Sequence, residues 1–364
     1  MKHGFIRTAA AVVAAVFLCV GSVGAAEFQG RISAKSAILV DADSGRVLFE
    51  KNADERSLIA STTKIMTALV VLEHCALEEP VEILPEYTAV EGSSMYLRAG
   101  ETYTVEELLY GLMLRSGNDA AVALALADSG SISAFSMRMN EKAAVLGLKN
   151  THYANPHGLD SEENYSTALD LARLTRFALQ NPDFAQLVST KSVTIGDRVL
   201  TNHNKLLWQY SGAIGVKTGY TRTAGRILVG AAERDGRRLI AVTIADPNDW
   251  ADHAALFDYG FSQFSERQLV TADSVVGQIP VINRVEDYVN LISHFSFSYP
   301  LADGEQPELR LLAPHFVFAP CDTVSATLEV WLDGTRIGAL PLRLAAPVAE
   351  NPVQKSIFQR IFGE

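Results

Sequence analysis

Cysteine is scarce: the 364 residues contain three, Cys19, Cys75 and Cys321. Too few thiols are present for a disulfide framework, so stability has to come from a packed core. Aromatic residues make up 8% and form no stripe, and acidic residues outnumber basic ones by 42 to 31. A chain with that balance is a poor partner for nucleic acid. Several catalytic signatures are missing as well. There is no Gly-x-Ser-x-Gly elbow, no His-Glu-x-x-His zinc motif and no glycine-rich phosphate loop. Internal repeats and low-complexity tracts are also absent. His152 and His157 lie close together in "THYANPHGLD", but no carboxylate-histidine cluster accompanies them. They read as loop histidines, and neither a metal nor a cofactor is expected.

What is present fits an ordinary folded protein: 48% hydrophobic and 20% charged residues, with length enough for two domains. Residues 1–26 carry Lys2 and Arg7, then a short apolar run, then small residues. That order predicts a secretory signal cut after Ala25 or Ala26. Without it the chain has 29 basic and 42 acidic residues, a net charge of −13. Cys75 and Cys321 are then expected to be separate buried thiols.

Hydrophobic periodicity divides the rest. "SAILVDADSGRVLFEKNAD" predicts a hairpin about Asp43-Ser44-Gly45. A helix is expected from about Ser61, with Ile65, Met66, Leu69 and Val70 on one apolar face. "TYTVEELLYGLMLRSGNDAAVALALADSG" reads as helix, break, helix, opening on a Thr104–Glu107 capping box. Further helices follow, and then residues 212–246 change to strand periodicity with a tight turn at Asp235-Gly236. The helix "WADHAALFDYGFSQF" closes the segment. Strands at both ends and helices between them predict an α+β domain over 27–265, an antiparallel sheet with helices packed on it. Residues 266–348 read as a small β-rich domain. The tail, 349–364, reads either as a weak interfacial helix at a membrane or as a terminal segment docked on the protein or frayed.

The chemistry is carried by three short motifs. Ser61 and Lys64 are three residues apart, nearly one helical turn, and so share a face. A serine hydroxyl needs a base, and a lysine can be that base only when burial or a second cation disfavours its ammonium form. Ser116-Gly117-Asn118 falls in the break between helices. Lys217-Thr218-Gly219 falls on a predicted strand, where glycine marks close approach of another backbone or a ligand. Taken singly, these are an N-cap, a turn and a strand end. In this order, on helix, loop and strand, they form the Ser-x-x-Lys, Ser-x-Asn, Lys-Thr-Gly set of penicillin-recognising acyl-serine enzymes.

With "GSSMYLRAGETYTVEELLYGLMLRSGNDA", "YANPHGLDSEENYSTALDLARL" and "TNHNKLLW", the chain resembles the low-molecular-mass penicillin-binding proteins that act as serine-type D-alanyl-D-alanine carboxypeptidases. The resemblance covers most of residues 30–265, and a β-rich C-terminal domain is usual in that family. It implies that Ser61 becomes acylated, Lys64 takes its proton and Ser116 relays a proton to the leaving D-alanine. Asn118 would bind the substrate amide, while Lys217 and Thr218 would meet its carboxylate. Gly219 belongs to the same motif, and the backbone N–H groups of Ser61 and Tyr220 would hold the oxyanion. Implied partners are peptidoglycan stem peptides and β-lactams, met outside the cytoplasm in the cell envelope or periplasm, or at the outer face of the cytoplasmic membrane.

One departure stands out. Relatives often carry an arginine early in the helix before the "YGF"-like segment, where the resemblance implies that it helps hold the substrate carboxylate, but "DPNDWADHAALFDYGF" has none; Arg222 and Arg226 are the nearby arginines that could substitute, and the sequence favours neither. Two other functions share parts of this reading. A class A β-lactamase would want a Glu-x-x-Leu-Asn motif, which is missing, and no second β-rich domain. A non-catalytic wall-binding protein would need the motif side chains to be misassembled.

Overall fold

The computed structural model describes residues 28–282 and 288–349. The expected signal segment, and the tail from residue 350, lie outside the described residues. The chain forms two compact units. One takes residues 28–272 and Ser296–Leu301; the other takes Asp273–Phe295 and the described residues from Ala302 on.

The first unit is built on five antiparallel strands: β1 (Ser36–Asp41), β2 (Val47–Lys51), β3 (Ala213–Thr221), β4 (Gly225–Arg234) and β5 (Arg237–Ile244). Their order in the sheet is β2-β1-β5-β4-β3, so β3 is an edge. The central pair joins the two ends of the unit, with Ser36 opposite Ile244 and Asp41 opposite Leu239. Asp235 and Gly236 both have positive φ in the β4–β5 turn, as a two-residue hairpin of this hand requires.

Both faces of the sheet are covered, which is why β1 is buried at every residue instead of alternating. Ile38, Val40, Ile240 and Val242 point into the main helical core. Their neighbours Leu39 and Leu239 point the other way. There α7 (Asp249–Gln263) lies so close that a Cβ on Gly260 would meet Leu239 at 2.6 Å and Leu39 at 2.8 Å.

The helical layer holds α1 (Lys64–His74), α2 (Val105–Leu114), α3 (Asn118–Ser129), α4 (Ile132–Val145), α5 (Ala168–Ala178) and α6 (Pro182–Ser189). The sequence predicts one apolar face on α1, but Lys64 through Val71 are all buried. The reason is that α1 packs against each of α2 to α6 and has no solvent side along this stretch. The capping box forms as expected: Thr104 Oγ1 accepts from Glu107 N at 3.2 Å, and Glu107 Oε2 accepts from Thr104 N at 2.9 Å.

Strand β6 (Phe264–Val270) pairs with β9 (Phe297–Ala302), which keeps residues 266–272 and the returning segment with the first unit. The second unit contains β7 (Val275–Ile282), β8 (Tyr288–Ser293), β10 (Glu308–Leu312), β11 (Val317–Phe318), β12 (Ala326–Leu332) and β13 (Thr335–Leu344). They form one six-stranded sheet, β10-β12-β13-β8-β7-β11, whose final pair is parallel.

Candidate active site

Ser61 sits in a single 3-10 turn, Ala60–Thr63, that leads straight into α1. Ala60 has φ +45° and Thr62 N bonds back to Ile59 O at 3.1 Å, so the chain turns sharply just before the serine. Ser61 is no N-cap: that position belongs to Thr63, and no side chain caps the helix.

Lys64 follows one turn later and is completely buried. Its Nζ lies 3.0 Å from Ser61 Oγ, 2.7 Å from Asn118 Oδ1 and 2.5 Å from the carbonyl oxygen of His157. Two of these neighbours are carbonyl oxygens, which can only accept. A neutral amine has two N–H donors and one lone pair. When both donors serve the carbonyls, the lone pair is left facing the serine hydroxyl. Burial, and then the Lys217 ammonium, hold the Lys64 pKa well below its ordinary value, while Asp119 opposes them.

Lys217 comes from β3, is 1% exposed and donates to Thr218 O at 2.9 Å. Desolvation pulls its pKa down to about 7. β3 can approach the serine because of Gly219, where an added Cβ would lie 3.2 Å from Ile59 O and 3.3 Å from Ser61 N. The glycine in the motif therefore serves the close backbone approach that the sequence leads one to expect.

Ser116 occupies the α2–α3 break with φ +59°, and Asn118 opens α3. Besides accepting from Lys64, Asn118 donates through Nδ2 to Glu91 O at 2.6 Å. Asp119 beside it is a bracket. Its carboxylate accepts from the backbone N–H groups of Met95 and Leu97, each at 3.1 Å, and from Ser94 Oγ at 2.6 Å.

These elements enclose a cleft of about 480 Å³ lined by Ser61, Ser93, Ser116, Thr218, Gly219 and Tyr220. His203, Arg226 and Trp250 also line it, whereas Arg222 does not. Lys64, Lys217 and Asn118 lie behind the wall. A larger hollow of about 800 Å³ around Arg234, Phe261 and Glu266 contains no such nucleophile and amines.

Sequence reasoning passes over two contributors. One is the backbone of "NPHGL". Its His157 carbonyl holds Lys64, and its Pro156 carbonyl accepts from Thr67 of α1 at 2.6 Å. Gly158 has φ +88°, and a Cβ there would run into the Ala60 carbonyl. The other is Asp119, whose role depends on through-space contacts. His152 turns elsewhere, with Nδ1 2.6 Å from Glu163 O. Among the described residues, no three His, Cys, Asp or Glu side chains are grouped to hold a metal. Cys75 and Cys321 are separate free thiols, but each is half-buried and not fully buried as expected.

Comparison with known proteins accords with this geometry. Residues 23–248 match the D-alanyl-D-alanine carboxypeptidase family of serine peptidases. The carboxypeptidase DacF of Bacillus subtilis is 33% identical over 339 residues, covering 88% of this chain and 84% of its own. DacA of Escherichia coli is 33% identical over 342 residues, with coverages of 88% and 85%. Among solved structures, penicillin-binding protein 5 of Haemophilus influenzae superposes with a TM-score of 0.77 at 29% identity, over 88% of this chain and 99% of that one. A variant of the Streptomyces K15 DD-transpeptidase gives 0.62 at 37% identity, over 64% and 100%. With its family model, its relatives and its fold in agreement, this chain belongs to the serine-type D-alanyl-D-alanine carboxypeptidases, the low-molecular-mass penicillin-binding proteins.

Proposed function

We propose that the protein is exported and removes the terminal D-alanine of peptidoglycan stem pentapeptides through an acyl-enzyme on Ser61, and that penicillins trap the same serine. The observation that carries this reading is the seat of Lys64: its amine is buried, bound to two carbonyl oxygens and 3.0 Å from Ser61 Oγ.

In this mechanism Lys64 takes the Ser61 proton as Oγ attacks the carbonyl carbon of the penultimate D-alanine. The oxyanion settles between the N–H groups of Ser61 and Tyr220, a donor pair in which each member is worth about 3 kcal/mol. The C–N bond then breaks. Ser116 passes a proton to the amine, and free D-alanine departs. Asn118 fixes the Lys64 amine and offers its remaining amide N–H to the substrate. Lys217, in its ammonium form, disfavours a proton on Lys64 and adds positive potential at the site, where the Thr218 hydroxyl donates to the substrate carboxylate. Water then attacks the ester, its proton goes to Lys64, and Oγ leaves as the hydroxyl. One water is consumed per D-alanine.

Intact-mass measurement after benzylpenicillin treatment, with peptide mapping, is expected to show one adduct on the peptide containing Ser61. Diacetyl-Lys-D-Ala-D-Ala is expected to lose D-alanine. In Ser61→Ala both signals disappear while the melting temperature is kept, and kcat falls on the order of 10³-fold or more. An adduct that persists at full yield in that variant removes Ser61 from the role. Steady rapid hydrolysis of nitrocefin would favour a β-lactamase instead.

A further inference from the structure

The sheet of the second unit ends on one side at β10, which pairs with β12 and, among the described residues, with no strand beyond it. All five residues of β10 are exposed. The outer N–H and C=O groups of an edge strand are a ready template for another strand, and proteins blunt such edges with lysine, proline or bulges. Within β10, Glu-Leu-Arg-Leu-Leu, there is neither lysine nor proline, and its ladder with β12 runs without a bulge.

That ladder fixes the two faces. Leu309 lies opposite Val330 and Leu311 opposite Leu328, and both of those partners are buried. Leu309 and Leu311 are therefore the margin of the unit's core, left open to water. On the other face Glu308 and Arg310 pair at 2.7 Å, with the guanidinium 4.4 Å over the Trp331 ring.

The strand is complementary to itself in one register. Residues opposite each other in an antiparallel pair share a face, so a two-fold axis normal to the sheet has to pass through a residue. Through Arg310 it would set two like charges face to face, which is destabilising. Through Leu311 it would set Arg310 against Leu312. Through Leu309 it sets leucine against leucine on the core face and Glu308 against Arg310, twice, on the other.

We propose that β10 joins a second copy of this chain edge to edge, antiparallel and centred on Leu309, which makes the β-rich unit a dimerisation module. The Glu308–Arg310 pair is then shared between copies, and the two cores become continuous through Leu309. Five residues span about 17 Å, and Pro307 stands at the upstream end. The contact is smaller than a standard interface, so the dimer is weak, with a dissociation constant on the order of 10–100 µM.

Sedimentation velocity of the purified chain is expected to pass from monomer to dimer between about 2 µM and about 500 µM. Arg310→Glu sets acid against acid and weakens the dimer by about tenfold or more. Combining it with Glu308→Arg restores the dimer to within about threefold. The double swap keeps a pair within each chain, and so covers the case in which the single variant does not fold. With Cys75→Ser and Cys321→Ser in the background, Leu309→Cys is expected to link two copies by a disulfide on oxidation. Leu312→Cys is not, because in this register the two positions lie about 20 Å apart. Four outcomes overturn the pairing: a chain still monomeric at about 500 µM, a dimer indifferent to Arg310→Glu, a swap that does not restore it, or equal crosslinking at 309 and 312.

Discussion

The two units of the chain treat charge in opposite ways. The first buries Lys64, Lys217, Asp119, Asp170 and Asp246 at 2% exposure or less. The second keeps its charges in pairs such as Glu308–Arg310 and Glu329–Arg336, and leaves Leu309, Leu311 and Leu312 exposed along its edge strand β10. Burying an amine costs several kcal/mol unless its surroundings compensate. On the acyl-serine reading, a fold that does this twice beside one cleft carries a cost that serves chemistry. Among the described residues, the β-rich unit buries no charged side chain at 2% exposure or less.

That contrast can be attacked directly, beginning with the heaviest blow. Lys64→Met keeps the volume of the side chain and deletes the proposed base. The acylation rate by benzylpenicillin is expected to fall by about 10³-fold, within the range for loss of general-base catalysis. A stopped-flow measurement showing less than a tenfold loss would mean that another group deprotonates Ser61.

A paired glycine experiment comes next. Gly158 and Gly334 both have positive φ, but only Gly158 faces a neighbour, the Ala60 carbonyl; a Cβ on Gly334 meets nothing within 4 Å. Gly334→Ala is expected to cost about 1 kcal/mol of stability, the penalty for the left-handed backbone alone, and to leave kcat untouched. Gly158→Ala should cost roughly 2–4 kcal/mol and depress kcat, because the displaced backbone holds both Ser61 and Lys64. Equal costs in urea melts would show that the two units are equally tolerant.

Acid is the most gradual probe, acting a little with each pH unit. His253 is fully buried against Thr243, and burial draws its pKa down to about 3 from 6.5. The unfolded chain therefore binds this proton first. Stability from His253 is complete above pH 6.5 and drains away as the pH falls towards 3. The expected slope is at most about 1.4 kcal/mol per pH unit. His253→Leu should flatten it, and an unchanged slope would place the acid sensitivity elsewhere.

Much of this could be read from residue types. The hairpins, the capping box and the helix break at Ser116-Gly117-Asn118 have local causes, and local causes leave local signatures. The three motifs are legible because their chemistry needs particular side chains. Gly219 was legible as a point of close approach, though not what approaches it. The acceptors on Lys64 were harder, since the His157 oxygen belongs to the backbone and any residue could supply it. The Asp119 bracket and the Arg226–Asp249 ion pair, at 2.7 Å, join positions whose proximity only the fold creates. The return of residues 296–301 to the first unit, likewise, has no mark in composition.

One feature of the sheet reaches into the life of the chain before it is folded. Strand β1 can complete its pairing only with β5, so residues 36–41 wait for residues 237–244. Contacts that far apart in sequence form late and slowly. A nascent chain ending at Tyr220 would already carry Ser61, Lys64, Ser116 and Lys217, but no wall on which to hang β3. On the acyl-serine reading, the site around Ser61 is complete only when the last strand of the sheet has emerged.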